Sequence, residues 1–320
     1  MLEFKGDIYV KRAGLWLDPK VKKPFSFVSH GHSDHLRRHH QVLVSTGTAL
    51  FYEQKFGGAE VLAVPFNEPF SVNGCTVELF PSGHMLGAAQ ILIEDGWRIV
   101  YTGDFKLEKG ETAEQAQTKL CDILIMECTY GLPKYVFPPR EEVTEEIVRF
   151  VEQILNDGGV PVLFAYSMGK AQEVMKLLSH RNVLMMVPKS VYEIAKLYEQ
   201  AGVTFSDYGL FTGGDLRDTV LIGPWSMRRL GLLDGITKVR KAALTGWALE
   251  PAAPRRYNVD AAFPLSDHAD FDGLLEYVRT VQPKKVYTVH GPRRFCTYLR
   301  GVGYDAEPLP LKLSPQLSLW

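Results

Sequence analysis

Over the first 130 residues, apolar positions alternate with polar ones or gather in short blocks. IYVKRAGLWLD (8–18), FSFVSH (25–30), QVLVST (41–46), EVLAVPF (60–66), CTVELFPSGH (75–84) and AAQILIEDGWRIVYTGDF (88–105) are rich in β-branched and aromatic residues. Gly, Pro or Asn bounds these tracts, which predicts strands. Asp95-Gly96 splits the last tract as a hairpin turn, because both residues tolerate positive φ. TALFYEQKFGG (48–58) predicts one helix, closed by its glycine pair.

After the buried strand DILIMEC (122–128) the pattern changes. Pro133, Pro138 and Pro139 punctuate a linker, and a long amphipathic helix follows over 140–159. Strand VPVLFAY leads into helix SMGKAQEVMKLLSH, VLMMV into SVYEIAKLYEQAG, and TVLIGPWS is a further strand. Such alternation implies a parallel α/β unit. From about Tyr257 strand returns, then helix DHADFDGLLEYVRTV, strand KKVYTVHG and helix PRRFCTYLRGVG. The expected organisation is a β-rich first domain, 1–132 and 258–320, interrupted by an α/β insertion over 133–257.

The composition is that of a globular chain. With 46% apolar and 23% charged residues, global disorder and fibrous repeats are excluded. A net charge of −1 excludes a uniformly basic nucleic-acid binder but leaves room for a local basic track. No run of 18 apolar residues exists, so no membrane-spanning helix is expected, and the N-terminus lacks a signal-peptide core. Cys75, Cys121, Cys128 and Cys296 form no CxxC pair and read as reduced core thiols, which fits a cytoplasmic location.

The nine histidines change the picture through their placement. SHGHSDH puts His30, His32, Asp34 and His35 within six positions, just past a strand. Imidazoles and a carboxylate at that density suit Zn²⁺ and neighbouring first-row ions. His30 and His32 would face one way on an extended stretch, with Asp34 and His35 turning toward a second point. Three further ligand-type residues stand at predicted strand ends beside glycine: His84 in PSGHMLG, Asp104 in YTGDF and His290 in YTVHG. Each alone is more often a turn or core residue; as a set they point to a metal cleft.

HGHSDH followed by SGH, TGD and a late HG resembles the metallo-β-lactamase fold. ECTYG and LSDHADF, flanking the insertion, resemble the β-CASP nucleases of that fold. FAYSMGKAQ, ALTGWAL and FPLSDHADF are similar to the short bacterial ligase-associated DNA exonucleases. The resemblance implies an αββα sandwich carrying an inserted α/β β-CASP domain. It implies two divalent metal ions, Zn first and Mn second. One would be held by His30, His32 and His84, the other by Asp34, His35 and His290, with Asp104 bridging. Asp18 would support the ligand loop. Two such ions lower the pKa of water to about 7 and clamp a phosphodiester. His268 would be the general acid that protonates the departing oxygen, oriented by Glu127.

The resemblance thus implies a phosphodiesterase cutting nucleic acid and leaving 5′-phosphates, with DNA the first substrate and RNA the second. His290 is the feature that favours RNA. A DNA ligase and a helicase of a repair pathway are the partners implied. Basic pairs such as Lys22-Lys23, Arg37-Arg38 and Arg293-Arg294 would supply a phosphate track. Ser167 and Lys170, between a strand and a helix, are candidate phosphate contacts, although the tract is not a P-loop. The competing readings are a glyoxalase II-like small-molecule hydrolase, which predicts an enclosed apolar pocket, and a silent binding module, which the intact ligand set disfavours.

Overall fold

The computed structural model describes residues 2–4 and 6–309. Its contacts divide the chain into two units, Met1–Val136 with His268–Trp320, and Phe137–Asp267. The sequence reading put these bounds at 132/133 and 257/258. Strand Ala261–Phe263 pairs with Val239–Leu244 in the sheet of the second unit, which accounts for the later crossing. Residues 310–320, which that reading gave to the first domain, lie outside the described residues.

The first unit is a sandwich of two sheets. One is six-stranded and runs in order Leu2–Phe4, Ile8–Val10, Leu15–Leu17, Phe25–Phe27, Gln41–Ser45, Glu60–Val64. The other is seven-stranded: Ala306–Pro308, Lys285–Val289, Ile123–Glu127, Arg98–Tyr101, Ala89–Glu94, Cys75–Pro81, Phe70–Val72. Period-2 alternation sorts their side chains. Within Ile123–Glu127, Ile125 packs with Leu79, Ile91, Leu17 and Phe27 between the sheets. Leu124 and Met126 pack with Leu274, Val278 and Leu299 of helices Phe271–Val281 and Arg294–Gly301. Both faces are covered, so this strand reads as an unbroken apolar run. On the far side of the first sheet, Val42 and Val44 meet Ala49 and Tyr52 of helix Thr46–Phe56. Ser45 caps that helix by accepting the Thr48 N–H, and the chain leaves it at Gly57. The result is the αββα layering.

The second unit holds a six-stranded, all-parallel sheet: Tyr208–Leu210, Leu184–Val187, Thr219–Gly223, Val160–Phe164, Val239–Leu244, Ala261–Phe263. Helices Arg140–Asn156, Lys170–Ser179 and Lys189–Gln200 bury Ile147, Val151, Val174 and Ala195 against one face. Phe164, Leu221, Met227 and Trp225 pack on the other.

The predicted helix DHADFDGLLEYVRTV starts later than its sequence suggests. Asp270 accepts the Gly273 N–H at 2.8 Å as N-cap, so the helix begins at Phe271 and His268 stands in the loop before it. The strands the pattern did not announce are Leu2–Phe4, Phe70–Val72, Tyr208–Leu210, Val239–Leu244 and Ala306–Pro308. All but one have three residues, too few to show a period.

His39, outside the metal motif, is 2% exposed. Its Nδ1 accepts the Lys23 N–H, and its backbone N–H donates to the Tyr52 hydroxyl. Burial, with Lys23 and Arg37 beside it, depresses its pKa to about 4. The unfolded chain therefore binds a proton here before the native chain does, and stability falls as pH drops from about 6.5 toward 4. His39→Gln keeps the acceptor without the titration. Urea unfolding at pH 7 and pH 5 is expected to show a smaller loss for the variant, by about 1–2 kcal/mol. Equal losses would show that His39 is not part of the acid sensitivity.

Candidate metal centre

Past strand Phe25–Phe27 the chain crosses between the sheets, and the Ser29 carbonyl accepts the Ala89 N–H. The His32 carbonyl then accepts the N–H groups of both His35 and Leu36, folding HGHSDH into a tight turn. The sequence reading expected an extended stretch through His32 and then a turn; the turn closes on His32 itself. His30 Nε2 lies 3.2 Å from His32 Nδ1, and His84 Nε2 lies 3.0 Å from the same atom. His84, Asp104 and His290 follow, and Glu127 ends, strands whose carboxyl ends share one edge of the second sheet, where sites collect.

Asp104 Oδ2 is the common point. It stands 3.5 Å from His30 Nε2, 3.6 Å from His35 Nε2 and 3.8 Å from His84 Nε2. His35 Nε2 is also 3.6 Å from Asp34 Oδ2, and the rings of His35 and His290 are centred 5.3 Å apart. The donor atoms of His30, His32, His84 and Asp104 lie within 4.8 Å of one another. Asp104 Oδ2 and His35 Nε2 are both buried without a hydrogen-bond partner. Buried polar atoms are rarely left so. Two lone-pair atoms at 3.6 Å with no proton donor between them, facing further imidazoles, fit divalent cations lying among them. The residues present therefore fit a metal centre at His30, His32, His84 and Asp104; His35 adjoins Asp104, with Asp34 and His290 next to His35, and Asp104 also groups with Glu127 and His268 within the same reach.

Asp18 holds this arrangement from behind. Its Oδ1 accepts the Ser29 N–H at 2.8 Å. Its Oδ2 accepts Ser29 Oγ at 2.6 Å and the Tyr101 hydroxyl at 2.8 Å, and it pairs with His35 Nδ1 at 2.8 Å. With Nδ1–H donated to Asp18, His35 turns Nε2 to the cleft. Ser29 Oγ lies 2.9 Å from His30 Nδ1, extending the same control to a second ligand. Burial alone would raise the Asp18 carboxyl, but His35 and the hydrogen bonds of His35 and Ser29 outweigh it and hold it below the ordinary value. Gly103, at φ 56°, is required here, since any side chain on it would strike Ser29. Ser29 and Tyr101 were not among the candidates; as a strand-end serine and a strand aromatic they carried only core and turn signals.

His268 Nδ1 stands 2.9 Å from Glu127 Oε1. Glu127 is fully buried and also accepts the Phe105 N–H at 2.9 Å and the Thr129 hydroxyl at 2.5 Å. A carboxylate so engaged suits an orienting role better than metal ligation. Burial would raise its pKa; His268 and these hydrogen bonds hold it far below the ordinary range, so it stays ionised. The rings of His268 and His84 are centred 4.7 Å apart, which sets His268 at the edge of the metal ligands.

The cluster is electrostatically crowded. Burial would lower His35, but Asp104, Asp18 and Asp34 lift it to about 9. Burial pushes Asp104 up to about 7, with Glu127 adding to the rise and His35 opposing it. Burial, then His35, depresses His30 and His290, leaving neutral imidazoles ready to ligate. Asp18 and His290 also adopt left-handed backbone, at φ 41° and 52°, a strain typical of sites.

In the second unit, Lys170 is 4% exposed and its Nζ meets Asp267 Oδ1 at 2.8 Å. A phosphate would have to displace that carboxylate. The Ser167 carbonyl accepts from Gln172, and its hydroxyl is 3.4 Å from that of Ser190.

Residues 256–305 match the family described as a Zn-dependent metallo-hydrolase RNA specificity domain. A "Probable DNA ligase" of Opitutus terrae is 40% identical over 310 residues, covering 95% of this chain and 30% of the ligase. An "Endoribonuclease YSH1" of Gibberella zeae is 32% identical over 123 residues, 37% of this chain and 14% of that protein. These matches are consistent with the metallo-β-lactamase family and its β-CASP nuclease branch. "DNA ligase 6" of Arabidopsis thaliana, 23% identical over 306 residues, aligns with 83% of this chain, which spans 21% of it. The chain thus spans less than a third of each of these relatives. The zinc dependence in the description of the matched domain agrees with the cluster of ligand-type residues around Asp104 and supports divalent metal ions as cofactor.

Asp104→Ala is expected to lose bound metal outright. Asp18→Asn should keep the fold and weaken metal binding by about 10–100-fold, because a ring left unoriented ligates poorly. Chelator competition followed by metal analysis measures both. Unchanged affinity in the Asp18 variant would refute its orienting role.

Proposed function

We propose that this β-CASP chain is a two-metal phosphodiesterase that hydrolyses nucleic acid. The observation that carries the proposal is the His268–Glu127 pair, 2.9 Å between its atoms, beside the ligand cluster around Asp104. A bound metal pair supplies Lewis-acid charge for a phosphoryl group and an acidified water. The imidazole-rich donor set favours zinc, with manganese as the alternative. His30, His32, His84 and Asp104 would hold one ion, and Asp34, His35, His290 and Asp104 the other. An ionised Glu127 fixes His268 Nδ1–H and favours the imidazolium. His268 Nε2 is then the atom that carries a proton to the departing oxygen. Glu127 is kept rigid by Phe105 and Thr129, so the proton position is held before substrate arrives.

DNA is the substrate we favour, cut as an exonuclease with 5′-phosphate products in a repair pathway, with a ligase and a helicase as partners. The alignment of nearly the whole chain with a ligase-named relative supports this reading. RNA is the second reading, favoured by the RNA specificity description matched at 256–305 and by the endoribonuclease relative. The four cysteines are buried free thiols, in keeping with a cytoplasmic site of action. Among the described residues no helix is long and apolar enough to cross a membrane.

End-labelled single-stranded and duplex DNA and RNA, with and without chelator, test the reading. Cleavage of DNA ahead of RNA, abolished by chelator and restored by Zn²⁺ or Mn²⁺, is expected; no chelator-sensitive cleavage of any of them would sink it. His268→Ala should retain both metals and lose turnover by about 10²–10⁴-fold. Metal depletion in that variant would reassign His268 as a ligand.

A further inference from the structure

Resting on that reading, we infer that Lys20 binds the phosphodiester flanking the scissile one, on the Asp34–His290 side of the centre. The inference begins with charge. Asp18, Asp104 and Glu127, which are buried, and Asp34, which is half-buried, put four carboxylates in one cluster. Two dications bring four positive charges, so the loaded centre is near neutral and offers little net attraction to the rest of a polyanion. A cation must come from the rim.

Lys20 is built into that rim. It lies two residues beyond Asp18, whose carboxylate grips His35. Its backbone N–H donates to Asp7 Oδ1 at 2.9 Å, and Asp7, 7% exposed, also pairs with Lys23 Nζ at 3.2 Å. Lys23 in turn donates its N–H to His39 and accepts the His40 N–H. Residues 18–23 are thus clamped at both ends. The loop anchors spend Lys23 on Asp7 and on the face of Trp16, 3.8 Å away. Lys20 is half-buried, and among the described residues its ammonium makes no ion pair or hydrogen bond. Its charge acts on Asp34 and on His290, both of the second ligand set. A fixed backbone carrying an uncommitted ammonium beside a neutralised metal site is what a flanking phosphate requires.

The experiment compares wild type, Lys20→Met and Lys20→Arg. Three readouts are used: steady-state cleavage of a single-stranded oligonucleotide, oligonucleotide binding against salt with Ca²⁺ replacing the native metal, and metal content. Bis(p-nitrophenyl) phosphate, which has no flanking phosphate, serves as control substrate. For Lys20→Met we expect KM for the oligonucleotide to rise about tenfold with kcat near wild type. The log–log salt slope should fall by about 1. Metal content and control hydrolysis should not change, and Lys20→Arg should restore KM. An unchanged KM and salt slope would overturn the inference, as would loss of metal, which would make Lys20 a support of the ligand loop. If wild type neither binds nor cleaves any oligonucleotide, the nuclease reading falls and takes this assignment with it. If wild type binds and Lys20→Met binds equally, only the assignment falls.

Discussion

The carboxylate of Asp18 is the junction on which the site depends. It takes hydrogen bonds from the Ser29 N–H, Ser29 Oγ, His35 and the Tyr101 hydroxyl, and so joins strand Leu15–Leu17, the ligand loop and strand Arg98–Tyr101. A buried charge is tolerated only when paired and hydrogen-bonded; removing one partner of such a group typically costs several kcal/mol. Asp18 therefore needs the two sheets in register as much as they need it. That mutual requirement fixes the tautomer of His35 and, through Ser29, the orientation of His30.

Around this junction the ligands come from distant points of the chain but from one edge of the sandwich. Cys75–Pro81, Arg98–Tyr101, Ile123–Glu127 and Lys285–Val289 run in the same direction, so the residues that follow them converge. The strands themselves are held by apolar packing on both faces. Their rigidity lets Asp104 keep an unsatisfied oxygen buried and lets Asp18 and His290 keep left-handed backbone. Strain and unpaired polarity sit where function is proposed, and the core around Ile125 and Leu124 supports them.

Much of this is legible in the sequence. The apolar runs gave the long strands and helices because each buries a face against another layer. HGHSDH, His84, Asp104 and His290 stood out because ligand-type residues beside glycine at strand ends are hard to explain by packing. Three-residue strands were not legible, since two alternations do not make a period. Nor was the start of helix Phe271–Val281, where Asp270 rather than Asp267 provides the cap. Tyr101 and Ser29 were hidden in plain strand and turn sequence; nothing local distinguishes a core tyrosine from one whose hydroxyl supports a ligand.

What the sequence determined by itself was the inventory: which residues have the chemistry to bind metal, and which segments are strand, helix or linker. Those properties are local, set by side-chain type and by period. The tertiary structure alone decided which atoms meet. It turned His35 Nε2 and Asp104 Oδ2 toward the same space, set Glu127 against His268, and committed Lys170 to Asp267, while among the described residues Lys20 has no ion partner. Each of these is a contact between residues chosen by sheet order and layer packing, and no spacing along the chain encodes it.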